Sequence, residues 1–287
     1  MIDLSIIIVS YNNLGVLVGC LDSIIDMNDI GGRLEIIVVE QSPTFKIYSY
    51  IKKAYPTVIT IKVANNGFGS GNNRGAEIAQ GKYLLFLNPD TLLIEPICQF
   101  AINKFENNPK LGLFGVQLLD EKRQKSSSFD CIVPYGFTSK ILFNCCNKLN
   151  IFIEAKMYIQ GADLFVRADL FNKIGRFDEN IFMYCEEPDL CLRVTNAGYH
   201  ISFDSEKQIV HLQGACSSEK YENAFIKQLH SFQYLCEKYN MPFKAIMLRE
   251  LRYQKRKYFI LRTFLKEYSY DITMVAKKIK AIEDLKL

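Results

Sequence analysis

The chain has 287 residues, 49% hydrophobic and 23% charged, with a formal net charge of +4. This composition excludes disordered, collagen-like and low-complexity chains, and the length buries a core without disulfide or zinc staples. From Lys244 onward, 12 Lys and Arg face five Asp and Glu, so the positive excess sits in the tail and the preceding body is slightly acidic.

The first two-fifths of the chain alternate strand and helix signals. Leu4–Val9 is an unbroken apolar run suited to a strand covered on both faces. Ser10-Tyr11-Asn12-Asn13 makes a polar turn, and helical spacing follows over Leu14–Ile25. Leu34–Val39 and Val58–Val63 predict two further strands. Asn66–Gly75 reads as a glycine-rich loop leading into a short helix that ends near Gln80. Lys82–Leu87 predicts a strand ending at Asn88-Pro89-Asp90, then a helix through Ile97–Asn107 and a strand at Leu111–Leu119. Such alternation implies a mostly parallel sheet with right-handed crossovers.

The middle is less regular. Glu121 to about Ala155 reads as a long surface excursion. Order resumes with Met157–Val166, a helix at Ala168–Ile174, a loop from Gly175 and a helix at about Asp189–Ala197. Strands are expected at His200–Phe203 and Ile209–Leu212. Beyond Ala215 the pattern turns helical over Tyr221–Tyr239, Phe243–Tyr268 and Ile272–Leu285.

The apolar runs are strand-length, too short for the roughly 20 residues of a membrane span. No basic region precedes the first of them, so no signal peptide is expected. The nine Cys are odd in number, scattered and without C-x-x-C spacing. Free thiols in a reducing cytosol are the simplest reading.

In an open α/β sheet, ligands bind outside the carboxyl ends of the strands. The polar residues there include Ser10, Tyr11, Asn12, Glu40, Gln41, Asn66, Gly67, Asn88 and Asp90. Asp90 suits either a hard cation or a turn that caps the next segment. The glycine loop, with Asn72 and Asn73, offers backbone N–H groups to phosphate, although G-x-G-x-x-x-G departs from the dinucleotide pattern. Glu186, Glu187 and Asp189 crowd around a Pro among aromatic residues. Acids there cap a helix, yet carboxylates crowded near apolar groups also have the raised pKa of a general base. Arg193, four residues on, is placed to hold Asp189 as an ion pair. His211 suits a structural role, or a metal site partnered by Asp90.

Taken in order, SIIIVSYN (Ser5–Asn12), NNGFGSGNNRG (Asn65–Gly75), GKYLLFLNPDT (Gly81–Thr91), GADLFVR (Gly161–Arg167), IGRFDENIFMYCEEPDLCLR (Ile174–Arg193) and HLQGACS (His211–Ser217) resemble a family 2 glycosyltransferase. The likeness is to the bacterial rhamnosyltransferase-like branch, over about the first 215 residues. It implies a GT-A fold and inverting transfer of a sugar from a UDP- or dTDP-linked donor to an acceptor hydroxyl, in bacterial surface polysaccharide or glycan synthesis. Tyr11 and Glu40 would border the nucleotide base, with Asn72 and Asn73 near base and ribose. Asp90 and His211 would hold Mn²⁺ or Mg²⁺ on the donor diphosphate. Glu187 would be the base, with Glu186 the alternative, and Gly161 and Ala162 would line the sugar pocket. The motif Asn88-Pro89-Asp90 has a single carboxylate, and Glu40-Gln41 stands where Asp-Asn is typical.

This reading divides the chain into a GT-A domain over residues 1–215 and a basic helical extension over residues 216–287. In the extension, Met247, Leu251, Tyr258, Leu261, Leu265 and Tyr268 form one apolar stripe. Arg249, Arg252, Lys255, Arg256, Arg262 and Lys266 fill much of the rest. Such a helix either packs on the catalytic domain with a solvated basic face or lies on an anionic membrane near lipid-linked acceptors. No nucleic-acid partner is expected. A nicotinamide oxidoreductase and a non-catalytic sugar- or partner-binding module are the competing function classes.

Overall fold

The structure is a computed structural model that describes residues 1–212, 221–264 and 269–285. Leu4–Ser10 (β1) is buried at every position. Its alternate residues serve both faces of the sheet: Ile6 and Ile8 enter one core, Ile7 and Val9 the other. Helix α1 (Leu14–Asp26) buries Leu17, Cys20, Leu21 and Ile24 at helical spacing. Strand β2 (Leu34–Glu40) follows, then α2 (Lys46–Ala54), β3 (Ile59–Lys62), α3 (Phe68–Ile78), β4 (Tyr83–Leu87) and β5 (Thr91–Leu93). Helix α4 (Cys98–Asn107) leads to β6 (Leu111–Leu119), β7 (Phe129–Cys131), α5 (Phe137–Leu149), β8 (Met157–Ile159) and β9 (Asp163–Arg167). Then come α6 (Ala168–Lys173), α7 (Glu186–Asn196), β10 (His200–His211), α8 (Tyr221–Lys238), α9 (Phe243–Phe264) and α10 (Ser269–Glu283).

The central sheet has strand order β3-β2-β1-β4-β9-β6-β10-β5. Strands β3, β2, β1 and β4 are parallel, and so are β6 and β10. Strand β9 inserts antiparallel between β4 and β6, and β5 closes the far edge antiparallel to β10. The expected mostly parallel sheet flanked by helices is therefore present. Helices α1, α2 and α4 cover one face; α3, α6 and α7 cover the other. A third core joins α8, α9 and α10 to Tyr135 and Val133 of the body.

Several elements differ from the sequence reading. Most of the glycine-rich stretch is helix, because packing overrides the poor helix propensity of glycine. Gly71 and Gly75 let α3 lie close on the sheet: a Cβ at Gly75 would sit 2.4 Å from the Ile7 side chain. The surface excursion contains α5 and β7. The ordered stretch Met157–Val166 holds two strands, divided at Gln160-Gly161-Ala162, with β8 pairing β7 in a separate ribbon. The two short strands near 200 and 210 are one strand, with a register shift between Asp204 and Gln208. Helix α7 starts at Glu186, so all three acids fall in its first turn.

The expected boundary at 215/216 lies outside the described residues, as do Gln213–Ser217 of the last motif and Leu265, Lys266 and Tyr268 of the tail. Within the described tail, Met247 and Leu261 are buried while the Arg and Lys side chains of α9 stay exposed. That arrangement matches the packed-helix reading. No helix among the described residues is long and apolar enough to cross a membrane.

Candidate active site

The topology gathers the ends of several strands along one rim. Ser10 ends β1, Glu40 ends β2 and Asn88 follows β4. Because β9 runs antiparallel, its start brings Gly161 and Ala162 to the same rim, where the Asn88 N–H donates to the Ala162 carbonyl at 3.0 Å. His211 ends β10 directly beside Thr91 of β5. That pairing brings the His211 Nε2 within 3.4 Å of Asp90 Oδ1, although the two residues are far apart in sequence.

A cleft of about 600 Å³ opens over this rim. Tyr11, Asn88, Asp90, Glu186, Glu187 and His211 line it. A second chamber, of about 330 Å³, adjoins it and shares Asn88, Tyr184, Glu187 and His211. Gly161 and Ala162 line that chamber. Seven further residues expected at the site have other partners. Ser10 is buried and donates to Asn13 Oδ1 at 2.7 Å. Asn12 is exposed, and its N–H donates to Ser42 Oγ. Glu40 is fully buried, accepts from the Ser42 N–H at 2.7 Å and pairs with Lys62 at 3.0 Å. Asn66 is exposed and does not line the cleft.

The remaining three belong to α3 and its entry. Gly67 has φ +104, and a Cβ there would lie 2.2 Å from the Phe182 carbonyl oxygen. The Gly67 and Phe68 N–H groups donate to Asn65 Oδ1 and to the Phe182 carbonyl. Asn72 donates to the Phe68 carbonyl. Asn73 donates to the Phe177 carbonyl and to Glu179, and accepts from the Phe177 N–H at 3.0 Å. The glycine-asparagine stretch thus fastens the 177–182 loop over α3. Its amides serve the chain itself, which the sequence pattern alone does not distinguish from a phosphate loop.

The acids at the start of α7 have distinct environments. Tyr184 and Cys185 both adopt left-handed backbone, at φ +67 and +70, costly for residues with side chains. This kink turns Glu186 and Glu187 toward the cleft. Burial pushes the Glu187 carboxyl up to about 6, opposed by a hydrogen bond from the Gly161 N–H. Burial and the Glu187 charge push Glu186 well above the usual range, and its Oε2 has no hydrogen-bond partner. Asp189 points away. It pairs with Arg193 at 2.7 Å, as the spacing predicts, and with Lys238 of α8 at 2.6 Å, and accepts from the Tyr239 hydroxyl.

Asp90 and His211 fit a divalent cation in their donor chemistry. A carboxylate and an imidazole suit Mn²⁺ and accept Mg²⁺, and their 3.4 Å separation suits neighbouring positions on one ion with ligand bonds of about 2.1 Å. No group of three or more His, Cys, Asp or Glu able to hold a metal occurs among the described residues. A cation here would take its other ligands from water and phosphate oxygens, a common arrangement for Mg²⁺.

A family model described as "Glycosyl transferase family 2" matches residues 5–154. The chain belongs to that family. The glycosyltransferase is 26% identical over 287 residues to an uncharacterized glycosyltransferase of Rickettsia typhi, covering 96% of this chain and 85% of that one. It is 25% identical over 219 residues to rhamnosyltransferase WbbL of Escherichia coli, covering 70% of this chain and 82% of that one. Among solved structures it resembles a mannosyltransferase from Pyrobaculum calidifontis in complex with GDP-Man and Mn²⁺. That likeness has a TM-score of 0.61 at 14% identity, covers 97% of this chain and 85% of the other, and establishes the GT-A fold.

The structure adds residues that the sequence reading missed. Gln41 and Asn65, both from the strand-end turns, line the cleft together with Phe68, which the sequence reading did not single out. Lys227 reaches the cleft from α8, with its ammonium 5.5 Å from the centre of the Phe182 ring. Nothing in the local pattern of α8 marks Lys227. Only the packing of the tail brings it there.

Proposed function

We propose that this glycosyltransferase moves a sugar from a nucleotide-diphosphate donor to a glycan hydroxyl in one inverting displacement. The observation that carries the reading is the shared cleft. The half-buried carboxylate of Glu187 lines it together with the Asp90–His211 pair. The relatives' transferase activities support the reading, and UDP- or dTDP-sugars are the proposed donors.

Asp90 and His211 would hold the Mn²⁺ or Mg²⁺. When bound, the cation offsets negative charge on the departing diphosphate. Tyr11, with Gln41 and Asn65, borders the nucleotide end. Glu187 takes the proton from the acceptor hydroxyl as that oxygen attacks the anomeric carbon opposite the leaving phosphate. The Gly161 N–H keeps the carboxylate aimed at the chamber. The raised pKa suits this task, because a base poised near neutral pH both binds and releases a proton readily.

The proposed acceptor is a glycan or lipid-linked glycan in bacterial surface polysaccharide synthesis, met at the cytoplasmic face of the membrane. A cavity between α5 and α9 supports membrane contact. It is lined by Arg249, Arg252, Arg256 and Lys257 beside Phe137 and Ile260. Among the described residues none of these four cations has a carboxylate within ion-pair distance, and Phe137 and Phe259 are more than half exposed. Unpaired cations beside exposed aromatic rings suit an anionic lipid surface.

The deciding experiment is a binding panel of UDP-, dTDP- and GDP-sugars with Mn²⁺, followed by transfer assays on the binders. Glu187→Gln should bind the donor as the wild type does and transfer nothing. Full transfer by this variant would sink the assignment of the base.

A further inference from the structure

Away from the cleft, the face of α9 that meets α5 concentrates charge of one sign. Arg249, Arg252, Arg256 and Lys257 line a cavity of about 740 Å³ there, beside Phe137 and Ile260. The three arginines are spaced three and four residues apart, so they form one row along the helix. Like charges at this spacing repel. The nearest acids do not relieve them. Glu250 is 2% exposed and already accepts from the Gly136 N–H at 2.6 Å, from Lys140 at 3.1 Å and from Gln254 at 2.5 Å. Glu283 pairs with Lys255 at 2.6 Å. Arg252 spends only its Nε, on the Leu248 carbonyl.

The opposite wall adds to the imbalance. Arg249 lies against the start of α5, where a Cβ at Gly136 would be 3.0 Å from its Nε. That end of a helix is itself partly positive. Burial lowers the pKa of the adjoining Lys140, and the charges of Lys278 and Lys257 lower it further, against the pull of Glu250. A recess with this much uncompensated positive charge is complementary to an anion. Guanidinium forks match phosphate oxygens two at a time. Four cations also exceed what the single charge of a phosphodiester offsets. The rim indicates what carries the phosphate. Phe137 is 61% exposed and Ile260 50% exposed, with Ile141 and Phe259 exposed next to them. A soluble phosphate gains little from that surface, whereas a hydrocarbon chain buries it.

Resting on the membrane contact proposed above and sharpening it, we propose that this cavity seats one lipid headgroup ending in a phosphomonoester or diphosphate. Arg249, Arg252 and Arg256 hold the phosphate oxygens, and the hydrocarbon chain leaves past Phe137 and Ile260. The cavity shares no lining residue with the catalytic cleft. Docking is then recognition of a particular headgroup, beyond the attraction of a basic face to an acidic surface.

The test uses the full chain without divalent cations, so that the cleft does not take up diphosphate. Two sets of phosphatidylcholine vesicles carry either phosphatidic acid or phosphatidylglycerol and are matched in zeta potential. Co-sedimentation should show about tenfold tighter binding to phosphatidic acid, the effect of one added charge-assisted contact. Inorganic diphosphate should displace the protein from that set, and sodium chloride at equal ionic strength should not. Arg252→Lys with Arg256→Lys keeps the charge and removes two forks. It should erase the preference and leave binding to phosphatidylglycerol vesicles unchanged. Lys255→Gln, on the same helix outside the cavity, should keep the preference. Equal binding to both sets, or an unchanged preference in the double-lysine variant, would overturn the proposal and leave diffuse membrane contact standing. Calorimetric binding of diphosphate with no vesicle binding would overturn it in favour of a soluble phosphate ligand. Binding to neither would overturn the proposal and the membrane contact together. Transfer to a water-soluble acceptor is assayed on the same preparations with Mn²⁺ restored, so failure of the transferase reading registers separately.

Discussion

Gly161 and Glu187 are in direct contact: a Cβ on Gly161 would lie 2.3 Å from Glu187 Oε1. The residue between two strands therefore sets the position of an acid on a helix. Gly161→Ala should push the carboxylate out of line without disturbing the sheet. A shift of about 1 Å in a catalytic group costs about 100-fold in rate. We expect kcat to fall by about that factor, with donor affinity unchanged in a calorimetric titration.

The raised Glu187 pKa makes opposite predictions for activity and stability. As a base, Glu187 must be ionised, so kcat/KM should fall as the pH drops through about 6. For stability, its pKa rises from 4.5 in the unfolded chain to about 6 in the fold. Below pH 4.5 both states are protonated and the group costs nothing. Above pH 6 the fold must hold a poorly solvated carboxylate, so stability is lost as pH rises through that window, by about 2 kcal/mol. Glu187→Gln should thus abolish transfer and raise the melting temperature at pH 7. A variant that is inactive and less stable would argue that Glu187 is structural.

The Asp90–His211 pair predicts cation dependence. Nucleotide binding should strengthen with Mn²⁺ in the wild type and lose that response in Asp90→Ala. Undiminished turnover in excess chelator would count against the assignment. Isothermal titration with and without the cation reads the effect directly.

Asp189 should be far more important to stability than the exposed pairs. It is fully buried and joined to Arg193 and Lys238, so Asp189→Ala leaves Arg193 without its carboxylate and Lys238 with Asp178 alone. We expect a loss of about 3 kcal/mol in urea unfolding. The Lys255–Glu283 pair, about half exposed on both sides, should give less than 1 kcal/mol when Lys255 is replaced by Ala.

The cationic cavity of α9 predicts selective membrane binding. Vesicles containing phosphatidylglycerol should carry the protein upward in a flotation gradient, and pure phosphatidylcholine vesicles should not. Arg252→Glu with Arg256→Glu should abolish flotation and leave transfer to a water-soluble acceptor intact. Equal flotation with neutral lipid would contradict the electrostatic origin.

Much of this architecture was legible because buried parallel strands announce themselves. Leu4–Ser10, Leu34–Glu40 and Leu111–Leu119 are apolar on both faces, and polar residues mark where they stop. The rim residues Asp90, Glu187 and His211 follow from those strand ends and from the family motifs. Less legible were elements whose form depends on distant contacts. Three-residue β5 exists because β10 pairs with it. Helix α2 shows only Ile47 and Ile51 as a buried stripe. Glycines read as a loop became α3 because the sheet surface required small side chains. Asn73 looked like a ligand-binding residue, and only the loop lying over it shows that its amide is already engaged.

Lys238 also bears on how the enzyme is born. A single ammonium bridges Asp178 and Asp189, each at 2.6 Å. During synthesis both carboxylates emerge from the ribosome about fifty to sixty residues ahead of that lysine. Domains tend to fold as they emerge, N-terminal part first. The sheet and the first turn of α7 would then assemble around two acids that still lack their common partner. The catalytic edge is locked only when α8 arrives, so the nascent chain should gain sugar-transfer competence late, after its core has formed.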